Sequence, residues 1–285
     1  MSPIPARALA LVLAVATLAG CGASAGTSGD SISLTVTRDF GAEEVVALPR
    51  EPVPKAGGLD RILERYPNPR GAQSLFVNGI VADKPAAELE VGGGDRVWLD
   101  QHESGAARAI PAVVGSFPEP FVHGTGGKRL PVRVECDRPR AGACAAVAEK
   151  LVGLGVVAGR SIIGRSAADE TLRILVAPWK RLRGREFEAD SVDAGPRRSG
   201  VHARFDDSAE RLLVLDRDGR VARTLGAASG LIVATRARNR QPVWFVTGTD
   251  DAGVQAAARA LDESVLSDRF ALAISADLPV AVPQP

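Results

Sequence analysis

The sequence predicts a mixed α+β / α/β protein: a small strand-rich module followed by a larger, layered α/β module. Three observations predict it. Residues 31–104 hold short alternating apolar segments broken by turn residues, with one helical stripe among them. From about residue 131 to 285, apolar strand segments alternate with at least two helical stripes, the pattern of a sheet covered by helices. Between them, residues 105–130 are rich in Pro and Gly yet too apolar for a floppy linker. With 45% hydrophobic and 24% charged residues in a chain of 285, a packed core is available and global disorder is excluded. Lys+Arg 35 against Asp+Glu 34 leaves a net charge of +1, which argues against nucleic-acid partners and polybasic membrane binding.

Residues 1–20 read as a leader. One charge, Arg7, precedes an apolar run over residues 8–18 that matches a signal-peptide core and is too short to span a bilayer. Leu18-Ala19-Gly20-Cys21 then resembles a bacterial lipobox. The resemblance implies cleavage before Cys21 and acylation of its thiol and amine, an anchor of two or more chains. The expected location is the extracytoplasmic face of the cell membrane, with the lipid on Cys21 as the membrane contact. Removing residues 1–20 takes away only Arg7, so the mature chain is formally neutral. Residues 21–30 form a Gly/Ser tether. Its Gly22-x-Ser24-x-Gly26 lacks the strand and helix that a nucleophile elbow requires, and is a chance match.

In residues 31–40, Ile32, Leu34 and Val36 alternate with Ser33, Thr35 and Thr37, as in a half-buried strand. Residues 43–48 return as its hairpin partner. Leu59, Ile62, Leu63 and Tyr66 form a helical stripe that Pro67 and Pro69 stop. Residues 73–78 make a strand ending in the hairpin signal Asn78-Gly79. Residues 88–91, a turn over 92–95 and a strand over 96–100 complete a β-β-α-β-β order.

That order, with Phe76-Val77-Asn78-Gly79-Ile80 and Gly94-Asp95-Arg96-Val97-Trp98, resembles the transcobalamin-like β-grasp domains of bacterial surface proteins, and more distantly ubiquitin-like and soluble-ligand-binding β-grasp domains. The resemblance implies a β-grasp fold for residues 31–104 and a binding role. No cofactor is read from the residues themselves; the resemblance alone admits cobalamin. Strand alternation puts Leu75, Val77, Val97 and Leu99 on the core face. Phe76, Asn78, Arg96 and Trp98 then lie on the opposite face, a candidate ligand patch. Two aromatics on the polar face of a small sheet either stack on a ring ligand or sugar, or lie under another part of the chain.

Residues 105–130 are expected to pack between the modules, with Pro118-Glu119-Pro120 extended. In the second module, strands are expected over 131–136, 172–177, 201–205, 211–216, 231–235 and 243–247, with a final strand over 270–275. One helix carries Cys144, Val147, Leu151 and Leu154; a long one carries Val254, Ala257, Ala258, Leu261 and Val265. With Cys21 assigned to the anchor, Cys136 and Cys144 are an even remainder. In an exported protein they suggest a disulfide pinning a strand end to the first turn of a helix. Three scattered His residues, His102, His123 and His202, have no ligand spacing to the Cys pair, so no metal site is read. Gly153-x-Gly155 follows a helix and is no dinucleotide fingerprint. Thr249 or Asp250 is expected to cap a helix. The basic-to-acidic stretch over 180–193 reads as a solvated loop.

These readings make a membrane-tethered, non-enzymatic protein whose β-grasp module binds a small molecule or an envelope protein. Two alternatives stand beside it. One is an envelope-assembly accessory whose Phe76/Trp98 patch is an intramolecular interface. The other is an enzyme acting on envelope polymers from the α/β module.

Overall fold

The structure, a computed structural model, describes residues 29–285 except 56–57, 68–71, 104, 139–140, 166–167 and 239. The leader, Cys21 and most of the tether lie outside the described residues.

The first module runs β1 (Ser31–Arg38), β2 (Glu43–Pro52), α1 (Leu59–Leu63), β3 (Ala72–Val77), β4 (Ile80–Val81) and β5 (Arg96–His102). Its sheet order is β2-β1-β5-β3-β4, with β1 parallel to β5 and the other pairs antiparallel. A hairpin, a helix, and a last strand returning parallel to the first between the two hairpins define the β-grasp arrangement. Ile32, Leu34 and Val97 meet Leu59 and Ile62 of α1 in one small core. Residues 88–91, which carry no element type from sequence, form no strand. Residues Ala86–Glu88 form a 3-10 turn, and the fourth strand is the two-residue β4, placed by the Asn78-Gly79 turn. Both turn residues have positive φ, as such a turn demands.

The second module runs β6 (Val132–Cys136), α2 (Gly142–Gly153), β7 (Ala158–Ile162), β8 (Leu172–Pro178), α3 (Trp179–Leu182), α4 (Phe187–Asp193) and α5 (Pro196–Ser199). It continues through β9 (Ala203–Phe205), β10 (Leu212–Leu215), β11 (Val221–Leu225), β12 (Gly230–Thr235) and β13 (Val243–Gly248). It ends with α6 (Asp251–Ala260), α7 (Glu263–Leu266), β14 (Ala271–Ser275) and β15 (Leu278–Val282). Seven strands form one sheet in the order β15-β14-β12-β13-β8-β6-β7, in which β13, β8, β6 and β7 are parallel. One face is covered by α2, α6 and the connector aromatics Phe117 and Phe121, which close on Trp244. The other face packs against the α3–α5 region and the small antiparallel sheet β11-β10-β9, where Trp179 stacks on Phe205. Strands β12 and β13 are buried along their whole length, which is why they read as continuous apolar runs.

Four expectations are corrected. The final strand is β15, not residues 270–275, and it pairs along the edge of β14. The long helix is two helices, because Asp262 leaves helical geometry and accepts from Ser264 N to cap α7. Pro118-Glu119-Pro120 is not extended. Both prolyl bonds are cis, and the segment turns through Glu119 N→Ser116 O and Phe121 N→Pro118 O hydrogen bonds. The stretch over 180–193 is not a solvated loop. Trp179, Leu182, Ala189 and Val192 pack into the core, and Glu186 and Glu188 are buried.

Candidate functional site

The four residues of the expected patch do come together, through backbone register and one side chain. Phe76 and Trp98 are direct cross-strand partners on β3 and β5, their ring centroids 5.5 Å apart. Asn78, at the turn, ties the two motifs: its Nδ2 donates to Asp95 Oδ1 (2.7 Å) and Gly124 O (2.9 Å), and its Oδ1 accepts from Arg96 N (2.9 Å). Asp95 also accepts from Gly92 N at 2.7 Å, closing the turn before β5. Asn78 is 1% exposed and its side-chain groups are occupied. It is a structural hub with nothing left to offer a ligand.

The patch is also covered, so of the two readings of this face, a stacking platform or an intramolecular contact, the structure has the second. Phe76 is 0% and Trp98 3% exposed. Ile110 and Val113 from the connector and Phe270 from the end of the second module complete their cluster. Phe270 meets Trp98 at 5.1 Å, Phe76 at 5.7 Å and Phe40 at 5.2 Å, each edge-on. Arg96 is held as well: it donates to Phe117 O and forms an ion pair with Glu263 of α7. The physical cause is plain. Aromatics on the second face of a five-stranded sheet need cover, and the chain supplies its own. A corrin ring does not fit against Phe76 and Trp98 in this arrangement, since Phe270 and the connector occupy the face.

Sequence alternation missed the polar line that accompanies the aromatics. Trp98 Nε1 donates to Thr37 Oγ1 (2.8 Å), which donates to Asp100 Oδ2 (2.6 Å). Asp100 also accepts from Phe40 N and Gly41 N, and its Oδ1 lies 2.7 Å from His102 Nδ1. Phe40 stacks on His102 and meets His202 of the second module edge-on. Thr37, Asp100 and His202 are each 2% exposed or less. Burial pushes the His202 imidazole down to about 4, against a hydrogen bond to the Arg217 backbone and the opposing charge of Asp216. A Thr–Asp–His line resembles a catalytic relay in composition only, because its hydroxyl donates to the carboxylate and is shut away from solvent. Its chemistry is that of a satisfied buried network.

Beside this junction lies a cleft of about 650 Å³ between the β1–β2 turn (Phe40, Gly41), Asp268 and the C-terminal segment. Burial raises the Asp268 carboxyl, and Glu44 nearby adds to the effect.

At the other end of the large sheet, Cys136 and Cys144 form the expected disulfide, from the end of β6 to the first turn of α2. Asp250 caps α6 by accepting from Gly253 N (2.8 Å) and also accepts from Ala228 N. Among the described residues no group of three or more His, Cys, Asp or Glu side chains is placed to hold a metal ion. No helix among them is long and apolar enough to cross a membrane. No protein-family model matches the chain, and no curated protein is found similar to it.

Proposed function

We propose that this chain is a lipid-anchored, extracytoplasmic accessory protein of a bacterial cell envelope, acting without catalysis. In this reading the β-grasp module is a brace fixed to the α/β module and not an independent ligand-binding head. The observation that carries it is the burial of Phe76 and Trp98 under Phe270, Ile110 and Val113. That contact removes the surface a free binding module would need. The lipobox over residues 18–21 supports export and anchoring, and the Cys136–Cys144 disulfide supports an oxidising compartment. We read the module as transcobalamin-like on the resemblance of its two short motifs; the order β2-β1-β5-β3-β4 and the Asn78 bond between the motifs support that reading. Cobalamin itself is not part of the proposal.

The test is fractionation with mass spectrometry of the N-terminus. The full chain should partition with membranes carrying an acylated Cys21, and Cys21→Ala should be released without acyl chains. Recovery of wild-type protein with an unmodified Cys21, or with its leader intact in the cytosol, would end this reading.

A further inference from the structure

The α/β module contains a charged pocket, lined by none of the junction residues, in which one carboxylate has no partner among the described residues. It opens where β8 and β13 begin, with a volume of about 340 Å³. Its lining residue Arg173 stands on β8, next to the parallel strand β6. Arg133 on β6 and Arg173 on β8 are register partners, two like charges side by side. Glu135, fully buried, bridges them: it accepts from Arg133 Nε (2.8 Å) and from Arg173 Nε and Nη2 (2.8 Å each). Arg173 Nη2 then donates to Glu186 at 2.9 Å. These two arginines and two glutamates are neutral as a set.

Glu188 is the charge left over. It is the second residue of α4, lines the pocket, is 5% exposed, and makes no hydrogen bond or ion pair with any described residue. With no donor among the described residues, this carboxylate is open to donors from a ligand in the pocket. Its neighbour feels the excess: burial, with Glu135 and Glu188 adding to it, raises the Glu186 carboxyl despite the Arg173 bond. The rim carries the opposite sign. Arg165 and Arg185 are exposed there, and Arg240 reaches Asp169 at 3.9 Å. The pocket therefore has a carboxylate inside and guanidinium groups at its mouth. Its volume suits a ligand of amino-acid size.

We propose that this pocket binds a small zwitterion, an α-amino acid or short peptide, with its ammonium on Glu188 and its carboxylate on the rim arginines. A carboxylate matches the planar guanidinium fork, and an ammonium supplies the donors Glu188 lacks. The site does not depend on export or on the brace, so its failure leaves that reading untouched.

The experiment is calorimetric titration of the full chain with lysine, alanylalanine, N-acetyl-alanylalanine and alanylalanine amide, alongside thermal unfolding. Lysine or alanylalanine should bind saturably. Glu188→Gln should weaken that binding about tenfold or more, a charge-assisted hydrogen bond being lost. The acetylated peptide should not bind. The amide should bind more weakly than the free peptide, and Arg185→Gln should erase that difference. Glu188→Gln should unfold at about the wild-type temperature, because the side chain gives up no hydrogen bond or ion pair to a described residue. Absence of saturable binding by lysine and alanylalanine would overturn the proposal. So would equal binding by Glu188→Gln, equal binding of the acetylated peptide, or equal binding of the amide. A Glu188→Gln chain that unfolds several degrees lower would show a structural role instead.

Discussion

Asn78 ties the two strand motifs of the first module together. Its side chain makes three hydrogen bonds, to Asp95, Gly124 O and Arg96 N, and its backbone sits at φ 53°. At roughly 1 kcal/mol net for each bond, Asn78→Ala should cost about 3 kcal/mol in urea unfolding. Asn78→Gly should cost about 1 kcal/mol less, because only the alanine pays for a left-handed backbone with a Cβ. Equal losses would mean that the turn does not hold that conformation. His202 gives a second prediction at this scale. Its folded pKa, about 4, lies below the ordinary 6.5. The unfolded chain therefore takes up the proton first. Stability is whole above about pH 6.5 and is lost as pH falls toward 4, by about 3 kcal/mol if this group acts alone. Thermal unfolding of wild type and His202→Phe between pH 7 and 4 checks this. The variant should show the shallower fall, and parallel curves would assign the acid sensitivity to other groups.

At the scale of elements, the disulfide shows what spacing can predict. Cys136 and Cys144 close a short loop from β6 into α2, and both are buried. The chain-entropy model gives such a loop about 2–3 kcal/mol. Cys136→Ala/Cys144→Ala should lower the urea midpoint accordingly, with no change in slope. An unchanged midpoint would show that the helix docks as firmly without the bond. Other elements were legible for a similar reason: their signal is local. The alternation of β1, the apolar runs of β12 and β13, the Asn78-Gly79 turn and the Asp250 cap each lie within a few residues. What was missed depends on partners far along the chain. Edge strands β7 and β15 are half exposed and lack a clear pattern. Helices α3 to α5 are too short for periodicity to show. Arg133 and Glu135 alternate with Val132 and Val134 along β6, and nothing near them in the chain announces their partners Arg173 on β8 and Glu186 beyond it. Alternation likewise put Phe76 and Trp98 on the second face correctly but was silent on Phe270, which covers them.

Over the whole molecule, the question is whether the two modules melt as one. The junction joins Phe76, Trp98, Ile110, Val113 and Phe270 in a single apolar cluster, flanked by the Arg96–Glu263 pair. It is also close at the level of backbone. A Cβ on Gly115 would lie 2.7 Å from both Arg269 N and the Trp98 ring, and one on Gly41 would lie 1.8 Å from Asp268 O. Main-chain atoms on the facing side cannot swing away as a side chain tip can, so even one methyl group forces the modules apart. The wild-type chain should therefore show one calorimetric transition, with calorimetric and van't Hoff enthalpies equal. Gly115→Ala should cost toward 3 kcal/mol, the upper end for overpacking, and should split the transition into an early β-grasp component and a later α/β one. Phe270→Ala, which opens a cavity in place of a clash, should cost about 3–5 kcal/mol and split it likewise. The pairing matters, because a clash and a cavity share no effect except loss of the junction. If both variants divide the transition, the modules are stabilised by each other. Two transitions already present in the wild type, or a Gly115→Ala chain that melts as the parent does, would mean that the β-grasp module stands alone and that the cover over Trp98 contributes nothing to its stability.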